Sequence, residues 1–161
     1  QYIPYHDMSR CPAKNQIPTL IAPNTIEYRE NNNREKKISI LIGGSLHGKK
    51  YKIDKVMDAI KIYKEKKEYQ LEIITSRRTP KYLIREIEKL GLDINSKYGS
   101  TRNAYYNSEI VVITDDSFSM ISEAIQSGIL PIVIKTENIC KRLQKGIDLL
   151  KKKNKLKLFQ C

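Results

Sequence analysis

No stretch of this sequence approaches the ~20 consecutive apolar residues that a helix needs to cross a bilayer, which excludes a helical membrane span. Cysteine is scarce: Cys11, Cys140 and Cys161 lie far apart, with no C-x-x-C pair. That argues against the disulfide framework of small secreted domains and fits a reducing compartment. Acidic residues are in deficit, with 18 Asp and Glu against 30 Lys and Arg, leaving a formal net charge of +12. An excess of this size points to anionic partners: phosphorylated ligands, nucleic acid or anionic lipid. There is no internal repeat, no Walker-loop spacing, no complete G-x-G-x-x-G and no RRM, KH or zinc-finger spacing. A nucleic-acid partner therefore rests on charge alone, and Lys-, Ile- and Asn-heavy usage is also what an AT-rich coding bias produces. No cluster of His, Asp and Cys suggests a metal. What remains is 161 residues, 40% of them hydrophobic, which is one ordinary domain's worth of chain. It begins at Gln1 rather than Met, which we read as a piece cut from something longer.

Residues 1–34 differ from the rest. They hold four of the six prolines (Pro4, Pro12, Pro18, Pro23) and the polar run Asn31-Asn32-Asn33-Arg34. Prolines at this density break helices and central strands, so the segment reads as an extended connector that packs on something else or stays mobile. From Lys37 apolar β-branched runs alternate with helical spacing. Strands are predicted at Ile38–Ile42, Leu71–Thr75, Ile110–Ile113 and, last, Leu130–Ile134, with a short edge strand near Lys97 and Tyr98. Helices are predicted through Ile53–Tyr63, after Pro80 to a stop at Gly91, from Ser117 to Gly128, and over Ile139–Leu150, with a brief helix or turn around Asn103–Asn107. Strands alternating with helices imply an α/β fold: a parallel, Rossmann-like sheet with helices on both faces. The domain then covers residues 35–150, and residues 151–161 form a basic tail.

In such sheets ligands sit beyond the C-terminal strand ends, near the switch in strand order. Three predicted strand ends carry chemistry. The first is Gly43-Gly44-Ser45-Leu46-His47-Gly48, where glycines permit close backbone approach and free amides can face a phosphate. The plain alternative is a tight strand-to-helix turn. The second is Ser76-Arg77-Arg78-Thr79-Pro80, two forked cations between hydroxyls ahead of a helix start, where anions are favoured. Adjacent arginines are also often no more than a solvated basic surface. The third runs from Thr114-Asp115-Asp116 through Ser117, Ser119, Met120 and Glu123. Hydroxyls at that helix start suit a diphosphate, and Glu123 further along suits two ribose hydroxyls. Equally, Asp116 or Ser117 caps an amphipathic helix whose Glu123 faces water. His6-Asp7 in the connector and the run Lys151–Lys157 are weaker candidates.

Taken together, four segments resemble the mitochondrial-fission "elongated mitochondria" family, whose bacterial members are often labelled nucleoside-diphosphate-sugar epimerase-like. Pro4-Tyr5-His6-Asp7, with Asn15 and the later Leu20-Ile21-Ala22-Pro23-Asn24, is similar to the family's P-x-H-D segment. Ile42-Gly43-Gly44-Ser45 is similar to its first strand end, and Ser76-Arg77-Arg78-Thr79-Pro80 to its S-R-R-T-P motif. Thr114-Asp115-Asp116-Ser117-Phe118-Ser119-Met120-Ile121-Ser122-Glu123-Ala124 is similar to its T-x-D-S-x-S-M-x-S-E-A motif. One departure is Asn103-Ala104-Tyr105, where members tend to carry N-P-Y.

The resemblance implies the C-terminal half of a GT-B-like two-domain architecture, with the N-terminal domain missing from this chain. It implies a nucleotide-sugar substrate rather than a cofactor, held by Gly43, Gly44, Ser45, Ser76, Arg77, Arg78, Thr79, Ser117, Ser119, Met120 and Glu123. A metal-independent glycosyl transfer is expected only with the other half present, and no catalytic residue is assigned here. The competing expectation is a non-catalytic scaffold at an anionic membrane surface. The resemblance places the protein in the bacterial cytoplasm or on the cytosolic face of an organelle.

Overall fold

The computed structural model describes residues 1–8, 14–30, 33–44, 52–95, 100–137 and 139–160. The connector begins with two three-residue strands, β1 (Tyr2–Pro4) and β2 (Ile17–Thr19), paired in parallel. A single 3-10 turn, Tyr5–Asp7, follows β1. The domain proper then runs β3 (Glu35–Ile42), α1 (Asp54–Lys64), β4 (Gln70–Thr75), α2 (Lys81–Lys89), β5 (Ile94–Asn95) and α3 (Ser100–Asn107). It continues β6 (Ser108–Thr114), α4 (Phe118–Gln126), β7 (Ile132–Ile134), α5 (Lys141–Lys152) and β8 (Lys157–Leu158).

Six strands form one sheet in the order β5-β4-β3-β6-β7-β8, and every described pair is parallel. The chain winds outward from β3 to β5 on one side, crosses back, and winds outward from β6 to β8 on the other. β3 and β6 are thus neighbours whose connections leave in opposite directions, which is the switch point of a doubly wound sheet.

The apolar runs become central strands because each must fill two cores. Ile38, Ile40 and Ile42 of β3 meet Val56 and Ile60 of α1 and Leu83 and Ile87 of α2. Leu41 of the same strand faces the other way, onto the layer of α3, α4 and α5 with Tyr105, Ile121 and Ile147. Alternation sends successive side chains to opposite faces, so a strand covered on both is apolar on both, and the one polar side chain buried in this run, Ser39, is bonded to Glu72 and Ser108. The helices stop where the sequence allows: Gly91 and Gly128 take φ of +67° and +93° just past α2 and α4.

One expectation needs correction. The strand at Ile132–Ile134 is not the last: beyond α5, Lys157 pairs with Ile132 and Leu158 with Val133. Part of the basic tail is thus the sixth strand, anchored by Leu156 in the core. A short strand at the sheet edge is present at Ile94–Asn95, and Lys97 and Tyr98, where the sequence places one, lie outside the described residues. The connector rests on its own domain, with Leu20, Ile21, Ala22 and Ile26 packed against the α3–α5 layer. The Arg34 guanidinium donates to the carbonyls of Tyr105 (2.6 Å) and Ser108 (3.2 Å), pinning the connector's end where β6 begins. Ala104, where the family tends to carry proline, is fully buried inside α3, where proline would break the helix.

Candidate functional site at the strand switch

The ends of β3, β4 and β6 bring the three sequence motifs to one edge of the sheet. After β4 the chain turns back through Ser76–Thr79. The Ser76 amide donates to the Ile42 carbonyl (3.1 Å) and to Thr79 Oγ1 (2.9 Å). The buried Thr79 hydroxyl lies 3.0 Å from the Ile42 carbonyl and 2.7 Å from that of Gly43, to which it donates. Ser76 Oγ accepts from the Arg78 amide at 3.2 Å. These hydroxyls lace the β4 turn to the end of β3 and leave Arg77 and Arg78 exposed at its tip. Neither guanidinium forms an ion pair among the described residues.

The two glycines are explained by this packing. A β-carbon on Gly44 would collide with the Arg78 carbonyl, and one on Gly43 would lie 2.6 Å from Asp116 Oδ2. The Gly43 amide donates to Thr114 Oγ1 (2.9 Å), and the Gly44 amide donates to the Asp116 carboxylate. Both amides are therefore spent inside the protein, whereas the motif suggested amides turned toward a phosphate. Ser45, with Leu46, His47 and Gly48, lies outside the described residues.

Behind this turn, β6 ends in two buried carboxyls. Asp115 Oδ1 accepts from the Thr136 amide (3.0 Å) and hydroxyl (2.6 Å), tying β6 to the exit of β7. Burial pushes the Asp115 carboxyl above its usual range, with the Thr136 bonds opposing. Burial likewise pushes Asp116 up; the Thr114 hydroxyl opposes this, and the Asp115 charge adds to it.

α4 begins at the same edge. Ser117 occupies the N-cap position, yet its side chain makes no cap bond, and Asp116 is drawn toward Gly43 and Gly44 instead. The capping expected of these two residues is not made. Ser117 Oγ lies 3.4 Å from Ser119 Oγ, and Ser119 is exposed. Met120 is part-exposed beside it. Glu123, one turn beyond Ser119 on the same face, is not the water-facing residue of a plain amphipathic helix. It is part-buried, and its Oε2 accepts from the Tyr105 hydroxyl at 3.1 Å. Burial raises the Glu123 carboxyl, the Tyr105 bond opposing, and burial drives the Tyr105 phenol far upward.

Sequence reasoning missed Tyr105 and Thr136. Both act from other elements, 18 and 21 residues from their carboxylates, and no local pattern pairs them. It also set aside His6, whose side chain is only 4% exposed and whose ring centroid lies 4.0 Å from that of Phe118. A hollow of about 700 Å³ lies between Tyr5, His6 and Met8 and the α5 residues Lys145, Asp148, Leu149 and Lys152. A second one of about 140 Å³ is lined by Lys52, Asp54, Lys55 and Lys135–Glu137, with Lys52 and Lys55 paired to Glu137. Among the described residues no three His, Cys, Asp or Glu gather as a metal site, and no helix is long and apolar enough to cross a membrane.

A parallel sheet of this order, with polar motifs collected at its strand switch, defines a Rossmann-like α/β protein. Residues 2–160 match the family model described as Mitochondrial fission ELM1, and the chain belongs to that family. No curated protein matches it.

Proposed function

We propose that the chain is the donor-binding domain of a glycosyltransferase-like protein, the C-terminal half of a GT-B-like pair whose other domain lies outside it. The observation that carries this reading is the convergence of three motifs on the strand switch. Exposed Arg77 and Arg78 and the start of α4 with Ser119 lie at that edge, and Glu123 follows one turn further along that helix. First-turn amides have no partner within a helix, so the start of α4 favours a diphosphate. The arginines add forked donors to its oxygens. Because the Gly43 and Gly44 amides are committed inward, cationic side chains and α4 carry the anion in this reading. In a transfer reaction the same groups would stabilise the departing nucleoside diphosphate without a metal. Ser119 would bond the diphosphate and Glu123 the ribose hydroxyls. Titration calorimetry of the chain with UDP-, GDP- and CMP-sugars tests the reading. Saturable binding that is lost in Arg77→Ala/Arg78→Ala supports it, and no saturable binding to any of them overturns it.

One observation favours a second reading, a non-catalytic scaffold on an anionic membrane surface. Residues 141–157 carry eight Lys and Arg against Asp148 alone, and all eight cations are exposed. A polybasic face of this kind is attracted to anionic headgroups. Sedimentation with phosphatidylserine vesicles separates the two. Binding that persists in Arg77→Ala/Arg78→Ala but falls in Lys151→Glu/Lys152→Glu favours the scaffold.

A further inference from the structure

The connector grips the first turn of α4 at two points, and both converge on Phe118. Its 3-10 turn inserts the His6 ring edge-on against the Phe118 ring, 4.0 Å between centroids at 62°. The slot exists because α5 carries glycine there: a β-carbon on Gly146 would lie 2.7 Å from His6 Nδ1 and 2.8 Å from Phe118 Cε2. A helix-interior glycine is unfavourable relative to alanine, so something else must require it. Asp7 anchors the turn to α5 through a 3.0 Å pair with Arg142 Nε. Further along the connector, the Ala22 amide donates to Ser122 Oγ (3.0 Å), whose hydroxyl donates to the Phe118 carbonyl (2.8 Å). Ring and carbonyl of one residue are thereby set by two separate connector segments. That residue lies between Ser117 and Ser119.

The geometry points to His6 and Ser122 as positioning residues, through which the connector holds the first turn of α4 in the setting that receives a nucleoside diphosphate. The inference rests on the donor-site reading for its ligand and on the contacts above for its mechanism. His6 acts as a neutral wedge rather than a base. Burial holds its imidazole below the usual 6.5, Asp7 opposing and Arg142 adding to the shift. Among the described residues the charged groups on this side are Asp7 on its own turn and Arg142, Lys145, Asp148 and Lys152 on α5, while the facing turn of α4, Phe118–Ile121, carries no charged side chain. An unfolded chain accepts the proton more readily than the wedged ring. Docking therefore weakens as pH falls through about 6.5 toward the lowered folded value.

UDP and GDP are the probes, titrated into the whole chain, with amide hydrogen exchange of residues 118–121 followed in parallel. His6→Ala is expected to weaken nucleotide affinity at least fivefold, to accelerate exchange at 118–121, and to make affinity fall less steeply than in the wild type as pH drops below about 6.5. His6→Phe, which keeps a ring but no titrating group, restores affinity to within about twofold and keeps the shallower profile. Gly146→Ala leaves His6 in place but takes its space, and reproduces the loss by a second route should His6→Ala fail to fold. If His6→Ala binds nucleotide and exchanges its α4 amides as the wild type does, the positioning role is refuted. If the wild type binds neither nucleotide, the donor-site reading fails alone. The exchange arm then decides: faster exchange at 118–121 upholds the connector's grip on α4, and unchanged exchange refutes it.

Discussion

Replacing Glu123 by alanine distinguishes a side chain that only waits for ligand from one that also supports the fold. Its carboxylate accepts the hydroxyl of Tyr105 at 3.1 Å, and the Tyr105 side chain is fully buried in the α3–α5 core. Removing the acceptor strands a buried donor, at about 1–3 kcal/mol. The Thr101 hydroxyl also bonds the phenol, which keeps the expected loss near the middle of that span, about 2 kcal/mol. For a chain of this size each kcal/mol moves Tm by about 2–4 °C, so Glu123→Ala should melt about 4–8 °C lower. Tyr105→Phe removes the donor while leaving Glu123 access to water, and should be milder, about 1 kcal/mol. The double variant should lose less than the sum of the singles, with a coupling of about 1 kcal/mol. Glu123→Gln keeps an acceptor and should melt close to the wild type. The assay is thermal and urea unfolding of the four proteins, all at one pH. A Glu123→Ala protein that melts with the wild type, or singles that simply add, would refute the support assigned to this pair.

Three further outcomes follow from the same edge of the sheet. Gly44→Ala should lower the urea midpoint by an amount equivalent to about 3 kcal/mol, because its β-carbon meets the Arg78 backbone, which cannot swing aside; Gly91→Ala, with open space but φ of +67°, should cost about 1 kcal/mol. Asp116→Asn should gain on the wild type as pH rises from about 4 toward 7. The folded chain holds the Asp116 proton more tightly than the unfolded one, so the wild type loses stability as that carboxyl ionises, and chemical denaturation at several pH values reads the difference. Ser119→Ala, at an exposed site, should weaken nucleoside-diphosphate binding about five- to fiftyfold while stability stays within about 0.5 kcal/mol; unchanged affinity would remove Ser119 from the site.

Much was legible in the sequence by itself because it is written locally. The runs at Ile38–Ile42 and Ile110–Ile113 are apolar but for Ser39, because a strand buried on both faces has no solvent-facing polar side to show, and the Ser39 hydroxyl is satisfied inside by Glu72 and Ser108. Gly91 marks its helix end by a backbone conformation that other residues resist. Those signals specified an alternating parallel α/β fold and brought Gly43, Arg77 and Ser119 to C-terminal strand ends. Only the tertiary structure decided how each group is used. Gly43 and Gly44 read as a phosphate cradle, yet a carboxylate and a backbone carbonyl fill the space their missing side chains leave. Glu123 read as either ribose ligand or surface charge, and a tyrosine 18 residues away adds a third use. A lysine-rich end read as a tail, and Lys157–Leu158 became a strand because β7 offered an unpaired edge and Leu156 a place in the core. The physical reason is the same in each instance. Backbone conformation and burial period depend on neighbours a few residues apart, whereas hydrogen-bond partners, desolvation and steric limits are set by groups that only the folded chain brings together.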